Sequence, residues 1–182
     1  WVNKNPEYDY IFFDDEKCKQ FLKNEYNEDY FHIFNMLGNG PTKADFFRWC
    51  YLYKKGGVYL DIDTVCIKPL REYITDDLSF VSRKKDNGTL KLYNKNLPFV
   101  AEPFSISKNT YASRINHCIL ASVRNLPILQ SCIKISVQNV KKYYHKQQNY
   151  QYPFYFCGPG VLGNEFNRLN NRHIYEPIHT IT

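Results

Sequence analysis

Along this chain the spacing of apolar positions changes several times, and each change marks an element. Tyr8 to Phe13 is a short aromatic and β-branched run closed by Asp14 and Asp15, which predicts a buried strand and its exit turn. Helical spacing follows over Glu16–Asn24 and Glu28–Leu37, the second stopped by Gly38-Asn39-Gly40-Pro41. A longer helix is predicted over Thr42–Lys55. Its last turn carries Lys54 and Lys55, which complement the negative helix end, and Gly56-Gly57 stops it. Val58-Tyr59-Leu60 reads as a strand running into Asp61-Ile62-Asp63. After Pro69 the pattern predicts strands over Leu78–Ser82, Phe99–Ser107 and Cys118–Val123, with Arg83–Asn96 as a basic, polar loop. Pro127–Tyr144 is an amphipathic helix: Leu129, Cys132, Ile133, Val140 and Tyr144 fall on one side, Lys134, Gln138 and Lys141 on the other. The apolar run Tyr152–Cys157 leads into Gly158-Pro159-Gly160 and a last helix, Val161–Leu169. Strands alternate with helices without a repeat or an interdomain linker, so one α/β domain is expected over residues 1–182.

Composition narrows the class. A chain of 182 residues suits one domain with a sizeable core, and 43% hydrophobic against 23% charged residues excludes wholesale disorder. The net charge of +6 is a mild pull toward an anionic partner. Six cysteines without a CxxC pair exclude a zinc ribbon and a thioredoxin-like redox site, and leave their pairing open. No apolar run approaches a membrane span. The one glycosylation sequon, Asn87-Gly88-Thr89, lies in a polar stretch that reads as a surface loop. The basic cluster Arg83, Lys84, Lys85, Lys91 and Lys95 has no recognition motif beside it and reads as a solvated loop, so no nucleic-acid partner is expected.

The chemistry concentrates in Lys43–Pro69. Alternate residues of an extended segment share a face, so Asp61 and Asp63 are expected to present two carboxylates to one point. Like charges that close repel, and a proton or a cation must relieve them. Hard oxygen ligands suit Mn²⁺ or Mg²⁺, which complete their shells with water and substrate phosphates. With ten Asp in the chain, a DxD triplet arises by chance about half the time, so its placement after a Gly-Gly-terminated helix and a strand carries the weight. Asp45 and Arg48 are three apart and share a face of the preceding, otherwise apolar helix. A buried Asp and Arg need partners. They form either a structural ion pair, or a pair in which Asp45 accepts sugar hydroxyls and Arg48 sets positive charge beside the substrate.

These residues carry a resemblance. Asn5-Pro6-x-Tyr8-x-Tyr10 with Asp14-Asp15, Lys43-Ala44-Asp45-x-x-Arg48 and Gly56-Gly57-Val58-Tyr59-Leu60-Asp61-Ile62-Asp63 resemble the DXD-motif sugar-binding glycosyltransferase family, which includes outer-chain mannosyltransferases and α-1,4-galactosyltransferases. The likeness is strongest over Lys43–Leu70. Ile115-Asn116 through Leu129 and Gly158-Pro159-Gly160 fit as well. The resemblance implies a GT-A-like (Rossmann-like) nucleotide-sugar-binding domain with a central mixed sheet flanked by helices. It implies a UDP- or GDP-hexose donor, a divalent metal (Mn²⁺ or Mg²⁺), a retaining transfer, and a glycan, glycolipid or protein acceptor. By the same carry-over Asp63 is the direct metal ligand, and Asp61 contacts the donor and supports the metal. Asp45 and Arg48 hold donor sugar hydroxyls, with Arg48 close to the leaving diphosphate. Asn116 lines the sugar pocket or caps a turn. Gly158 and Gly160 let backbone approach the donor, or simply start a helix.

The family's opening strand, of the type Pro-Lys-x-Ile-His-Gln-x-Trp, has no counterpart here, and His179 sits in no motif matching the family's distal His. The first strand is therefore expected to be missing and the domain truncated at both ends. Two other readings stand beside the enzyme: a degenerate relative that binds a sugar or nucleotide without turnover, and an aspartyl-nucleophile phosphatase of the haloacid dehalogenase type. The phosphatase motif wants Thr two positions after the second Asp, whereas Thr64 follows Asp63 at once. A calcium loop fits worse, since Thr64-Val65-Cys66 follows where a third oxygen ligand and Gly belong. Both the Golgi lumen, through a type II membrane precursor, and the cytoplasm are compatible with the sequence.

Overall fold

The computed structural model describes residues 1–72, 74, 78–83, 90–94, 116–143, 156–170 and 180–181. A short 3₁₀ turn, Val2–Lys4, precedes three helices: α1 (Asp15–Glu25), α2 (Glu28–Met36) and α3 (Gly40–Lys55). Each begins on a side-chain cap. Asp14 accepts from the Lys17 N–H at 2.8 Å, Asn27 from Tyr30 at 3.4 Å and Asn39 from Thr42 at 2.9 Å. The caps satisfy donors that the helices leave unpaired. The breaker before α3 thus includes its cap, and the helix starts at Gly40, two residues before the expected Thr42. Its end matches the expectation: the Gly56 N–H bonds the Leu52 carbonyl at 2.8 Å, with Gly56 at φ +70°. A Cβ on Gly56 would lie 3.1 Å from the Ser122 carbonyl, so glycine serves both the turn and the close approach of the sheet.

Strand β1 (Gly57–Leu60) follows at once, then β2 (Leu78–Arg83), β3 (Leu90–Asn94), β4 (Asn116–Ser122), α4 (Pro127–Tyr143), α5 (Pro159–Asn170) and β5 (Thr180–Ile181). The sheet order is β1-β4-β2-β3-β5. Every pairing among the described residues is antiparallel, where a mixed sheet was expected. β4 lies between β1 and β2, pairing β1 through Tyr59↔Leu120 and β2 through Val81↔Ala121. β3 falls inside the segment read as a loop. Leu90 and Leu92 alternate with Lys91, a strand pattern that the surrounding charges obscured, and Val81↔Leu92 closes a hairpin.

Helices α3, α4 and α5 meet in one apolar core. Phe46, Trp49, Cys50 and Leu52 of α3 lie against Ile128, Leu129, Cys132, Ile133 and Val140 of α4, with Val161 and Leu162 of α5 and Leu120 of β4 joining them. Each such large side chain contributes about 1.5–3 kcal/mol on burial. A polar clamp ties α4 to α5: buried Glu165 is paired with Arg168 at 2.7 Å and accepts from the Ser131 hydroxyl. The six cysteines are free, and burial pushes the thiols of Cys50, Cys132 and Cys157 well above their ordinary pKa. Among the described residues no helix is long and apolar enough to cross a membrane.

One expected element is absent. Tyr8–Phe13 forms no strand, and Tyr10, Ile11 and Phe12 are exposed, Tyr10 by 62%. No described strand pairs with this segment, although β1 ends the sheet, and it runs irregularly along an open cleft. Phe13 turns inward, packing against the rings of Phe21, Phe47 and Tyr51, and Tyr8 is half-buried. The expected strand Phe99–Ser107, the sequon, most of Tyr152–Cys157, and His179 lie outside the described residues, as does the Asn116 side chain.

Candidate active site

The cleft encloses about 930 Å³ and is lined by Tyr8–Asp15, by the exposed side of α3 and by β1 with the residues after it. Helix α3 brings Asp45 and Arg48 to its wall, and β1 delivers Asp61 and Asp63. Arg48 is only 3% exposed. Its Nε donates to the Ala44 carbonyl at 3.2 Å, and one Nη2 lies 2.8 Å from Asp45 Oδ1 and 3.1 Å from Asp61 Oδ1. The guanidinium also sits over the Tyr59 ring, 4.3 Å from its centre. A planar, permanently charged fork can serve two carboxylates and an aromatic face together; a lysine ammonium cannot.

Tyr59 was missed by sequence reasoning, although a signal existed: Tyr59 and Asp61 are alternate residues of one strand and share a face. Its hydroxyl donates to Asp61 Oδ1 at 2.9 Å. Burial, opposed by Arg48 and reinforced by the Asp61 charge, holds the Tyr59 hydroxyl well above its ordinary pKa, so it keeps its proton and remains a donor. The Asp61 N–H bonds the Cys118 carbonyl at 2.8 Å, one step beyond the last β1–β4 pair. Asp61 is thereby held by backbone and side chain at once.

Asp63 is placed differently. The strand stops at Leu60, and the Thr64 N–H returns to the Asp61 carbonyl at 3.0 Å, so residues 61–64 form a turn rather than an extended segment. The alternation expected to aim both carboxylates at one point does not apply. Asp61 points into the Arg48 cluster, while Asp63 is exposed and makes no ion pair among the described residues. Both line the cleft.

Cys157 and Gly158 lie behind this cluster. The Cys157 thiol, kept protonated by burial and by the Asp45 charge, donates to the Thr42 carbonyl at 3.2 Å. Gly158 has φ +106°, and a Cβ there would stand 2.3 Å from Asp45 Oδ2. The space left by the missing side chain is filled by the Asp45 carboxylate. Gly160 is buried in the first turn of α5. Gly158→Ala should therefore lower stability by about 1–3 kcal/mol through backbone strain alone, and push Asp45 off Arg48 as well. Gly40→Ala, where a Cβ meets nothing within 4 Å, should be close to neutral in the same melting experiment. Equal melting temperatures for the two variants would contradict this packing.

The cleft's charge differs from that of the chain. Among the described residues Asp9, Asp14, Asp15, Asp45, Asp61 and Asp63 line it, with Lys43 and Arg48 as the cationic side chains. Asp15 is paired with Lys43 at 2.8 Å, and Asp14 caps α1. Among the described residues no group of three or more His, Cys, Asp or Glu converges as a self-sufficient metal cage.

Comparison with known proteins places this architecture in a class. Residues 1–80 match the family described as "Glycosyltransferase sugar-binding region containing DXD motif". The initiation-specific alpha-1,6-mannosyltransferase of Candida albicans is 31% identical over 138 residues, 73% of this chain and 34% of that protein. The protein of the same name in Schizosaccharomyces pombe is 26% identical over 171 residues, 88% of this chain and 41% of that one. Among solved structures, PaToxG Glycosyltransferase superposes with a TM-score of 0.54 over 94% of this chain and 63% of that one, at 16% identity. Residues 1–80 thus carry the sugar-binding region of the DXD-motif glycosyltransferase family, and the α/β fold is of the GT-A-like kind the sequence led us to expect. The chain spans between a third and two fifths of the length of these two mannosyltransferases.

Proposed function

We propose that residues 1–182 form a single domain, the donor-binding core of a metal-dependent retaining glycosyltransferase. It would move a hexose from a UDP- or GDP-sugar to a hydroxyl of a glycan, glycolipid or protein acceptor. The observation that carries the reading is the buried Arg48 bridging Asp45 and Asp61 on the wall of an open cleft, with Asp63 exposed in the same cleft. The mannosyltransferase names of the relatives make mannose the first hexose to test.

Asp45 has carboxylate oxygens at the cleft wall and accepts hydroxyls of the donor sugar. Arg48 is fixed by two acids and a ring, so its charge is already oriented toward negative charge developing on the leaving diphosphate. Tyr59 and Arg48 together orient Asp61 toward the donor, Gly158 acts through Asp45, and Asn116 and Gly160 contribute to the donor pocket. A cleft with six carboxylates repels a diphosphate unless a cation accompanies it, and hard, exposed carboxylate oxygen is the donor type that Mn²⁺ or Mg²⁺ prefers. Asp63 would hold that ion directly with support from Asp61, and the ion would supply counter-charge to the leaving group.

The test is calorimetric titration with UDP-glucose, UDP-galactose, UDP-GlcNAc and GDP-mannose, each with Mn²⁺ and with EDTA. One donor should bind with Mn²⁺ and be lost with EDTA. Binding of none would sink the reading. Mn²⁺-dependent binding without hydrolysis or transfer would favour the non-catalytic alternative, and phosphate release from simple phosphomonoesters the phosphatase.

A further inference from the structure

The segment that carries Asp63 has no apolar anchor of its own. None of residues 61–69 is buried, and Ile62, Val65 and Ile67 are each at least 80% exposed. The first buried side chain after β1 is Leu70. An exposed loop of this kind ordinarily samples many conformations, because nothing offsets the entropy of fixing its backbone. Here it is held from outside, by the first turn of the chain.

Asn5 is the centre of that hold. It is 4% exposed, and its side-chain amide works in both directions. Oδ1 accepts the Leu70 N–H at 2.6 Å, 65 residues away in sequence. Nδ2 donates to the Trp1 carbonyl at 2.9 Å and to Cys66 Sγ at 3.4 Å. Trp1, fastened by Asn5, in turn donates its indole N–H to the Thr64 carbonyl at 2.9 Å, one residue after Asp63. Lys4 reaches the Ile67 carbonyl, and Arg71 reaches the Lys4 carbonyl at 3.1 Å and Glu7 at 3.2 Å. These last contacts are exposed and contribute little. The Asn5 contacts differ because they are shielded from water: without Oδ1, the Leu70 N–H has no acceptor and water cannot easily replace it.

We propose that Asn5 is a positioning residue that fixes the Asp61–Asp63 turn and the loop up to Leu70, presenting Asp63 to the cleft in one conformation. It lines the cleft and acts on the loop through Leu70, Cys66 and Trp1. Its link to donor binding rests on the glycosyltransferase reading; its link to the loop does not. Aspartate cannot substitute, since it lacks both N–H donors and brings a buried charge. Leucine has the volume but none of the hydrogen bonds.

Hydrogen–deuterium exchange and calorimetry together test this. In Asn5→Ala, peptides spanning residues 61–72 should exchange at least tenfold faster while those of α3 and α4 keep their wild-type rates. Mn²⁺-dependent affinity for the donor should fall at least tenfold. Trp1→Phe, which removes only the indole N–H, should move both readings in the same direction by less, and it serves if Asn5→Ala does not fold. Unchanged exchange in the loop, or acceleration spread evenly over the whole chain, would overturn the proposal. So would a loosened loop with wild-type donor affinity. If the wild-type chain binds no donor at all, the glycosyltransferase reading falls, and the exchange result alone decides whether Asn5 holds the loop.

Discussion

Arg48→Ala should be the most damaging single substitution in this chain, lowering turnover by about 10²–10³-fold and stability by about 3–5 kcal/mol. Both effects have one origin. Arg48 is itself almost closed to water between the partly exposed Asp45 and Asp61, and its removal leaves two neighbouring carboxylates without the counter-charge they share. Breaking a buried ion pair from one side costs more than the pair contributes, because the remaining charge stays desolvated. On the proposed function turnover should fall separately, through lost stabilisation of the leaving diphosphate. Arg48→Lys divides the two. It restores the charge, and with it part of the stability, but a single ammonium cannot reach both carboxylates while stacking on Tyr59. The lysine variant should therefore melt between wild type and Arg48→Ala yet remain nearly as slow. Turnover should be measured well below each variant's melting temperature. Wild-type turnover in either variant would return Arg48 to a purely structural role.

Asp63→Asn should give the opposite signature: stability within about 0.5 kcal/mol of wild type, and Mn²⁺-dependent donor affinity reduced about 100-fold or more. An exposed side chain without an ion pair among the described residues contributes little to folding, so amide for carboxylate changes no packing. What changes is the charge and the anionic oxygen offered to a divalent cation, and hard cations bind neutral amide oxygen far less tightly. Donor affinity in EDTA should be the same for both proteins. Asp61→Asn is the informative contrast. Its Oδ1 serves Arg48 and Tyr59, so that variant should lose stability and donor affinity together. If Asp63→Asn keeps its metal-dependent affinity, Asp63 is not a ligand and the metal reading loses its principal residue.

Helix α3 was legible almost to the residue, and the reason is local. Asn39, Pro41, the closing lysines and Gly56 act on their own helix through bonds no more than four residues long. The same holds for Asp45 and Arg48, whose shared face follows from helical spacing alone. Tyr8–Phe13 failed for the complementary reason. A run of aromatic and β-branched residues states that it can pair, and only the tertiary structure decides whether it does. β3 failed because its short apolar alternation, broken by Lys91, follows a run of charged and polar residues that reads as a loop, and only the partner strand brings it out.

At the site, the sequence by itself determined the chemistry available: which carboxylates and which arginine, carried on which helix and strand, and the family whose motifs they match. Tertiary structure decided how those groups divide. The turn at Thr64 separates an engaged Asp61 from an exposed Asp63, and Tyr59 comes to hold Asp61. Gly158, more than a hundred residues from α3, leaves the gap that Asp45 fills. The net charge of +6 suggested an anionic partner without help, yet the fold gathers six aspartates into one cleft and leaves most of the lysines outside it. Asn5, read only as part of a motif, becomes the support of a loop 65 residues away. Spacing along a chain controls contacts within a turn or two of backbone. Contacts between distant segments depend on how whole elements pack, and no local pattern records that.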